Sequence, residues 1–305
     1  MVNTPVYMDN HATTRVDPRV VDAMLPLFDQ SFGNAGSTSH SFGWAAAETV
    51  DAARRSIAHQ IGASEREIVF TSGATESNNL AIRGVVERQA GQSKAGRGRH
   101  ILSVVTEHKA VLDPLHRVAR RGYDLTLLNV EDQTSDCPGR LDLNRFSDAL
   151  RDDTVLVSIM LANNEIGALQ PLAEICEICK QKEILVHTDA TQAVGRIPID
   201  AAALQVDLMS FSGHKMYGPK GIGALFVRRG LPRVRLAAQI DGGGQERGRR
   251  SGTLNVPGIV GMATALQLCT EELPAETNRL LADRNRLFDG LSAALDDVVL
   301  NGPAL

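Results

Sequence analysis

Long apolar runs are missing from this 305-residue sequence. No stretch approaches the ~20 consecutive apolar residues of a membrane-spanning helix, so a membrane protein is not expected. The first residues, Met1-Val2-Asn3-Thr4-Pro5, also lack the basic-then-apolar order of a secretory signal. Cysteine is scarce: four residues, at 137, 176, 179 and 269, cannot build a disulfide framework in a chain of this length. A reducing, cytoplasmic setting is the expectation. Charge of one sign is lacking too, since the net charge is −4 with 22% charged residues, which argues against a nucleic-acid-binding surface. No glycine fingerprint joins a first strand to its helix with an acid after the second strand, so a nicotinamide dehydrogenase carries little weight. Repeats, low-complexity tracts and obvious linkers are likewise absent.

What is present is 43% hydrophobic and strongly patterned. Seven short β-branched or apolar runs, at residues 67–70, 101–105, 125–130, 154–160, 184–187, 207–211 and 222–227, alternate with longer helical patterns. That alternation predicts an α/β fold with a mostly parallel seven-stranded sheet. Residues 44–61 read as an amphipathic helix ending at Gly62, a residue suited to a left-handed cap. After Asn255 the pattern turns helical again, through 261–266 and then through a charged helix around 276–295.

Residues 296–305 look like one new strand and a turn, and a lone strand has no partner. The expected division is a large domain over 17–262, with 1–16 and 263–305 as parts of a small domain left incomplete.

The chemistry concentrates in Ser210-Phe211-Ser212-Gly213-His214-Lys215-Met216-Tyr217-Gly218-Pro219, a polar loop directly after an apolar strand. Ligands of parallel α/β sheets bind at the carboxyl ends of strands, which is where Lys215 falls. Taken alone it is a solvated charge like most lysines. Its partners alter that reading. Asp189 follows the strand at 184–187 and suits a pyridine nitrogen that must stay protonated, although an ordinary helix N-cap has the same spacing. Gln192, three residues on, is in reach of a phenolic oxygen. Thr71-Ser72-Gly73-Ala74-Thr75-Glu76 offers a helix start with Gly73 for a close turn and the Thr75 hydroxyl, an anion cradle or a plain cap. Thr106-Glu107-His108-Lys109 ends another strand and brings an imaginable stacking ring in His108, a residue type that more often serves structure. Each of these four strand ends matches one requirement of pyridoxal 5'-phosphate (PLP).

The segments MDNHATTRVDP (8–18), FTSGATESNNLAI (70–82), TEHKAVLD (106–113), ANNEIGALQP (162–171), HTDATQAVG (187–195), SGHKMYGPKGIGAL (212–225) and GGGQERGRRSGT (242–253) resemble those of the cysteine desulfurases of iron–sulfur cluster assembly, in the family's order. The resemblance implies the aminotransferase type I fold and a homodimer that converts L-cysteine to L-alanine and passes sulfur, as persulfide, to an acceptor or iron–sulfur scaffold protein. It implies PLP on Lys215, Asp189 at the pyridine nitrogen, Gln192 at the phenolic oxygen and His108 over the ring. It also gives the phosphate to Thr75, Ser212 and His214 with the backbone of Ala74, includes Gly213 in the cofactor loop, brings Asn164 to cofactor and substrate, and sends Thr253 to the neighbouring subunit's phosphate. Arg247, Arg249 and Arg250 then belong to an intersubunit loop rather than to an RNA contact.

The family's nucleophilic cysteine and its substrate-carboxylate arginine match no residue here, and their place is expected beyond Leu305. Cys176 and Cys179 fall on one side of a helix and read as inert buried thiols. Cys269 falls in a late helix and Cys137 in a turn. The competing readings are a selenocysteine lyase or aminotransferase of the same fold, and a non-catalytic PLP-binding or scaffold subunit.

Overall fold

A computed structural model describes residues 4–90, 98–230 and 233–304. The outer limits of the expected domain division, 1 and 305, lie outside those residues. The helices are α1 (Pro18–Met24), α2 (Pro26–Asp29), α3 (Ser41–Gln60), α4 (Ala74–Ala90), α5 (Lys109–Ala119), α6 (Leu143–Ala149), α7 (Leu172–Gln181), α8 (Ala201–Leu204) and α9 (Val256–Ala294). The strands are β1 (Ile68–Thr71), β2 (His100–Val104), β3 (Asp124–Leu128), β4 (Thr154–Ser158), β5 (Leu185–Asp189), β6 (Leu208–Ser212) and β7 (Gly223–Val227).

All seven expected strands form, in one sheet of order β1-β7-β6-β5-β4-β2-β3. Only β7 runs against its neighbours, pairing antiparallel with both β1 and β6. The other six strands therefore send their carboxyl ends to one edge. Period-two alternation divides their side chains between two faces. Phe70, Leu102, Val104, Val157, Val186, Met209 and Phe211 pack with α3, α7 and α9 in the largest cluster. Val69, Leu208 and Leu225 meet α4 on the other face, and Ile101 and Leu156 meet α4 and α5. The helices answer with one apolar stripe each. In α3 it is Ala46, Val50, Ala53 and Ile57, spaced by three or four. Gly62, past the end of α3, has φ +64°, the left-handed turn that its position required.

Two expectations need correction. The helical patterns after Asn255 are not two helices but one, the 39-residue α9, which runs through Pro274. A single missing N–H donor does not end a helix whose flanks are rich in Glu, Leu and Ala. This continuous helix also spans the boundary expected at 262. Residues 296–300 form no strand. The segment lies against two loops, with the Gln133 side chain donating to the Leu300 carbonyl and Gly302 pressed on the Ile166 backbone.

Candidate active site

The shared carboxyl edge of the sheet opens into a cavity of about 910 Å³. Of the residues singled out from the sequence, Ala74, Thr75, His108, Asn164, Asp189, Gln192, Ser212, His214 and Lys215 line it. Gly213 lies just beneath, fully buried in the turn between Ser212 and Lys215. Thr253 is exposed and outside the cavity.

The side chains arrive from five strand ends, those of β1, β2, β4, β5 and β6. Asp189 closes β5 and is buried; its Oδ1 accepts from the Thr191 N–H at 3.0 Å and its Oδ2 from Asn78 Nδ2 at 2.8 Å. A carboxylate with one bond on each oxygen keeps capacity for a donor from the cavity side. Next to it, β6 leads into the short turn of Lys215. Burial first, and then the positive charge of Arg196, press the Lys215 ammonium below its usual value, against the pull of Asp189 and Asp9. Arg196 earns this influence by geometry, since its Nη2 donates to the Lys215 carbonyl at 2.8 Å. His214, half-buried, is lowered by burial and by Lys215 and Lys220.

From β1 the chain enters Ser72-Gly73 and then α4. The Thr71 and Ser77 hydroxyls lie 2.8 Å apart and fix the turn. A Cβ on Gly223 would fall 2.6 Å from the Gly73 Cα, so only glycine lets β7 pass this close to the turn. Glu76 accepts from the Ser72 N–H at 2.8 Å and pairs with Arg250 at 2.8 Å. Although burial opposes it, Arg250 and Ser72 hold the Glu76 carboxyl below the usual range. His108 caps α5, its Nδ1 accepting from the Ala110 N–H at 3.0 Å, while its ring faces the cavity.

Several participants escaped sequence reasoning. Residues 9–17 form a strap along the lysine loop: the Thr14 N–H donates to the His214 carbonyl at 3.0 Å, and the Asp17 N–H to the Tyr217 carbonyl at 2.9 Å. Lys215 Nζ donates to the carbonyls of His11 and, at 3.1 Å, Ala12. The only pointer was that residues 8–18 formed one of the family-like segments. Glu107, one residue from His108, was passed over as well. Beneath the cavity His187 is wholly buried between Ser158 Oγ at 2.8 Å and Ser210 Oγ at 3.0 Å. Burial pushes its imidazole down to about 4, with Asp189 opposing.

None of the four cysteines lines the cavity. Cys176 and Cys179 are buried in α7, and burial pushes the Cys179 thiol up to about 12. Cys269, in α9, is pushed up to about 11, again chiefly by burial. Cys137 is exposed on its turn. Among the described residues no cluster of three or more metal-ligating side chains occurs, and no helix is long and apolar enough to cross a membrane.

Residues 6–302 match the family model described as aminotransferase class-V. A relative from Anaeromyxobacter sp. (strain Fw109-5), "Cysteine desulfurase IscS", is 55% identical over 298 residues, which are 98% of this chain and 71% of the relative. Among solved structures, a "NIFS-like protein" superposes with a TM-score of 0.88 at 41% identity, over 94% of this chain and 76% of that one. Another, titled "SspA in complex with cysteine", gives 0.79 at 38% identity, over 86% and 72%. By sequence and by superposition on solved structures, this chain belongs to the aminotransferase class-V family, among its cysteine desulfurases.

Proposed function

We propose that this chain forms the PLP-binding body of a cysteine desulfurase, which takes L-cysteine to L-alanine and passes sulfur onward as a persulfide for iron–sulfur cluster assembly. One observation carries the reading: the amine of Lys215 and the carboxylate of Asp189, at the ends of the adjacent strands β6 and β5, open into one cavity. PLP supplies an electron sink when bound, and the side chains around it decide how well that sink works.

In this reading Asp189 holds the proton on the ring nitrogen, and its two existing bonds keep the carboxylate oriented for that task. Lys215, pressed toward its neutral form, can act as a nucleophilic amine and later move a proton at the substrate carbon. His108 covers the ring face and Gln192 meets the phenolic oxygen. Thr75, Ser212 and His214, with the backbone of Ala74 at the start of α4, take the phosphate, helped by the partial positive charge of a helix N-terminus. Gly213 gives the cofactor loop its tight turn, and Asn164 faces cofactor and substrate. Thr253, exposed on a loop tied down at Glu246 and Arg250, serves the site of the second subunit in a homodimer. The persulfide is assigned to none of Cys137, Cys176, Cys179 or Cys269. The sulfur goes to an acceptor protein in the cytoplasm, and the large domain is taken as 17–262 with 1–16 and 263–305 in the small one.

The test is reconstitution with PLP. The wild-type chain turns yellow, and borohydride followed by peptide mapping fixes the label on Lys215. Lys215→Ala abolishes the label, while a mixed dimer of Lys215→Ala and Thr253→Ala chains regains one intact site. Label on another lysine sinks the assignment of Lys215, and a mixed dimer with no intact site sinks the exchange of Thr253.

A further inference from the structure

Glu107 stands one residue before the exposed His108, yet it is buried, with 6% of its surface accessible. Its Oε1 accepts from the Met160 N–H, and its Oε2 has no partner. The bond crosses between two strand ends. The ladder joining β2 to β4 stops at Ser103 and Ser158, and among the described residues no backbone bond joins the two loops beyond it. Only side chains continue the connection. Glu107 is one, and Asn163 is the other, donating from Nδ2 to the Thr106 carbonyl at 3.1 Å while its Oδ1 accepts from the Glu165 and Ile166 N–H groups at 2.9 and 3.0 Å. His108 on the first loop, and Met160 and Asn164 on the second, all face the cavity.

We propose that Glu107 is a positioning residue, a brace that sets the turn bearing His108 against the loop bearing Asn164. The proposal rests on the PLP reading, because those two residues are the ones assigned to the cofactor face and the substrate. The brace needs an acceptor for the Met160 N–H and no charge. Burial first, and then the negative charge of Asp189, push the Glu107 carboxyl well above the usual range, toward its neutral form. An amide of the same length can therefore do the same work, and an apolar side chain cannot.

Titration of the apo-chain with PLP, read by visible absorbance and paired with melting of the apo-chain, separates the possibilities. Glu107→Gln is expected within about threefold of wild-type PLP affinity, and Glu107→Leu at least about tenfold weaker, the size of effect that loss of one bond and misplacement of binding groups produces. A purely structural role would lower the melting temperature and leave the affinity of the folded fraction alone. Wild-type affinity in Glu107→Leu overturns the brace, and so does Glu107→Gln as weak as Glu107→Leu. Should Glu107→Leu fail to fold, Glu107→Asp, one methylene short of Met160, takes its place with the same two outcomes. Failure of the wild-type chain itself to take up PLP overturns the cofactor reading and the brace together, whereas the variants bear on the brace alone.

Discussion

At the outer edge of the sheet, Arg54 and Glu246 bury a charge pair in which both terminal guanidinium nitrogens and both carboxylate oxygens are partnered; around the cavity, Asn78, Thr106, Glu107 and Thr191 each bury a polar atom with no partner. The edge pair is closed on itself. Arg54 reaches both Glu246 oxygens at 2.6 and 2.9 Å and the Ile68 carbonyl at 2.8 Å, and it lies over the Phe70 ring at 4.4 Å. Glu246 also accepts from the Phe70 N–H at 2.8 Å, which ties the loop of Thr253 to β1, the strand that feeds the phosphate turn. Burying a charge is costly unless it is paired, and here pairing is complete. The cavity floor leaves capacity unused, which costs stability and which a bound ligand or a reaction can draw on. One polar cluster holds the fold and the other serves chemistry, and the two should respond oppositely to substitution.

The largest separation is expected at Asp189. Asp189→Asn keeps the shape and both existing bonds in part, so the apo-chain should melt close to wild type or above it, with a buried charge removed. Function should suffer by about 10²–10³-fold, the usual cost of deleting one well-placed electrostatic group. The readout is the rate at which L-cysteine changes the visible cofactor band. An apo-chain that unfolds while the reaction of its folded fraction stays fast would erase the distinction.

At the edge pair the pattern reverses. Glu246→Ala leaves Arg54 charged, buried and alone, and should cost ~3–5 kcal/mol in denaturant unfolding, whereas the double change Arg54→Met with Glu246→Leu should cost less because no charge is stranded. PLP uptake by the folded fraction should change little. If the single and double variants were equally stable, the pair would not be acting as a unit.

These two clusters also mark what could be seen from the sequence. Lys215, Asp189 and His108 were legible because each follows an apolar run that can only be a strand of a buried sheet, and such strands end on one edge. Gly62 was legible because a helix needs a left-handed stop. Glu107 was not, since a glutamate beside a loop histidine looks solvated until the Met160 backbone is known to lie behind it. Arg54 and Glu246 are 192 positions apart, and nothing local connects them. The continuity of α9 was hidden by Pro274, and the strap of residues 9–17 has no periodicity to read. Apart from Pro274, the missing information is a long-range contact, which pattern and propensity do not encode.

The smallest expected difference is in the response to acid, and it belongs to the cavity floor alone. His187 sits between two serine hydroxyls with its imidazole held neutral, its folded value near 4 against 6.5 when unfolded. As pH falls below about 6.5 the unfolded chain takes up a proton at this residue and the folded chain does not, so stability is present above that value and declines until the folded group titrates. Between pH 7 and pH 5 the loss should be about 2 kcal/mol from this one group. His187→Gln, which can still bond Ser158 and Ser210, should flatten the acid limb by roughly one proton over that range. Denaturant unfolding at the two pH values, on wild type and variant, measures it directly. Equal slopes in the two proteins would mean that His187 takes up its proton alike in the folded and unfolded chains, and the neutral floor held by burial between Ser158 and Ser210 would be wrong.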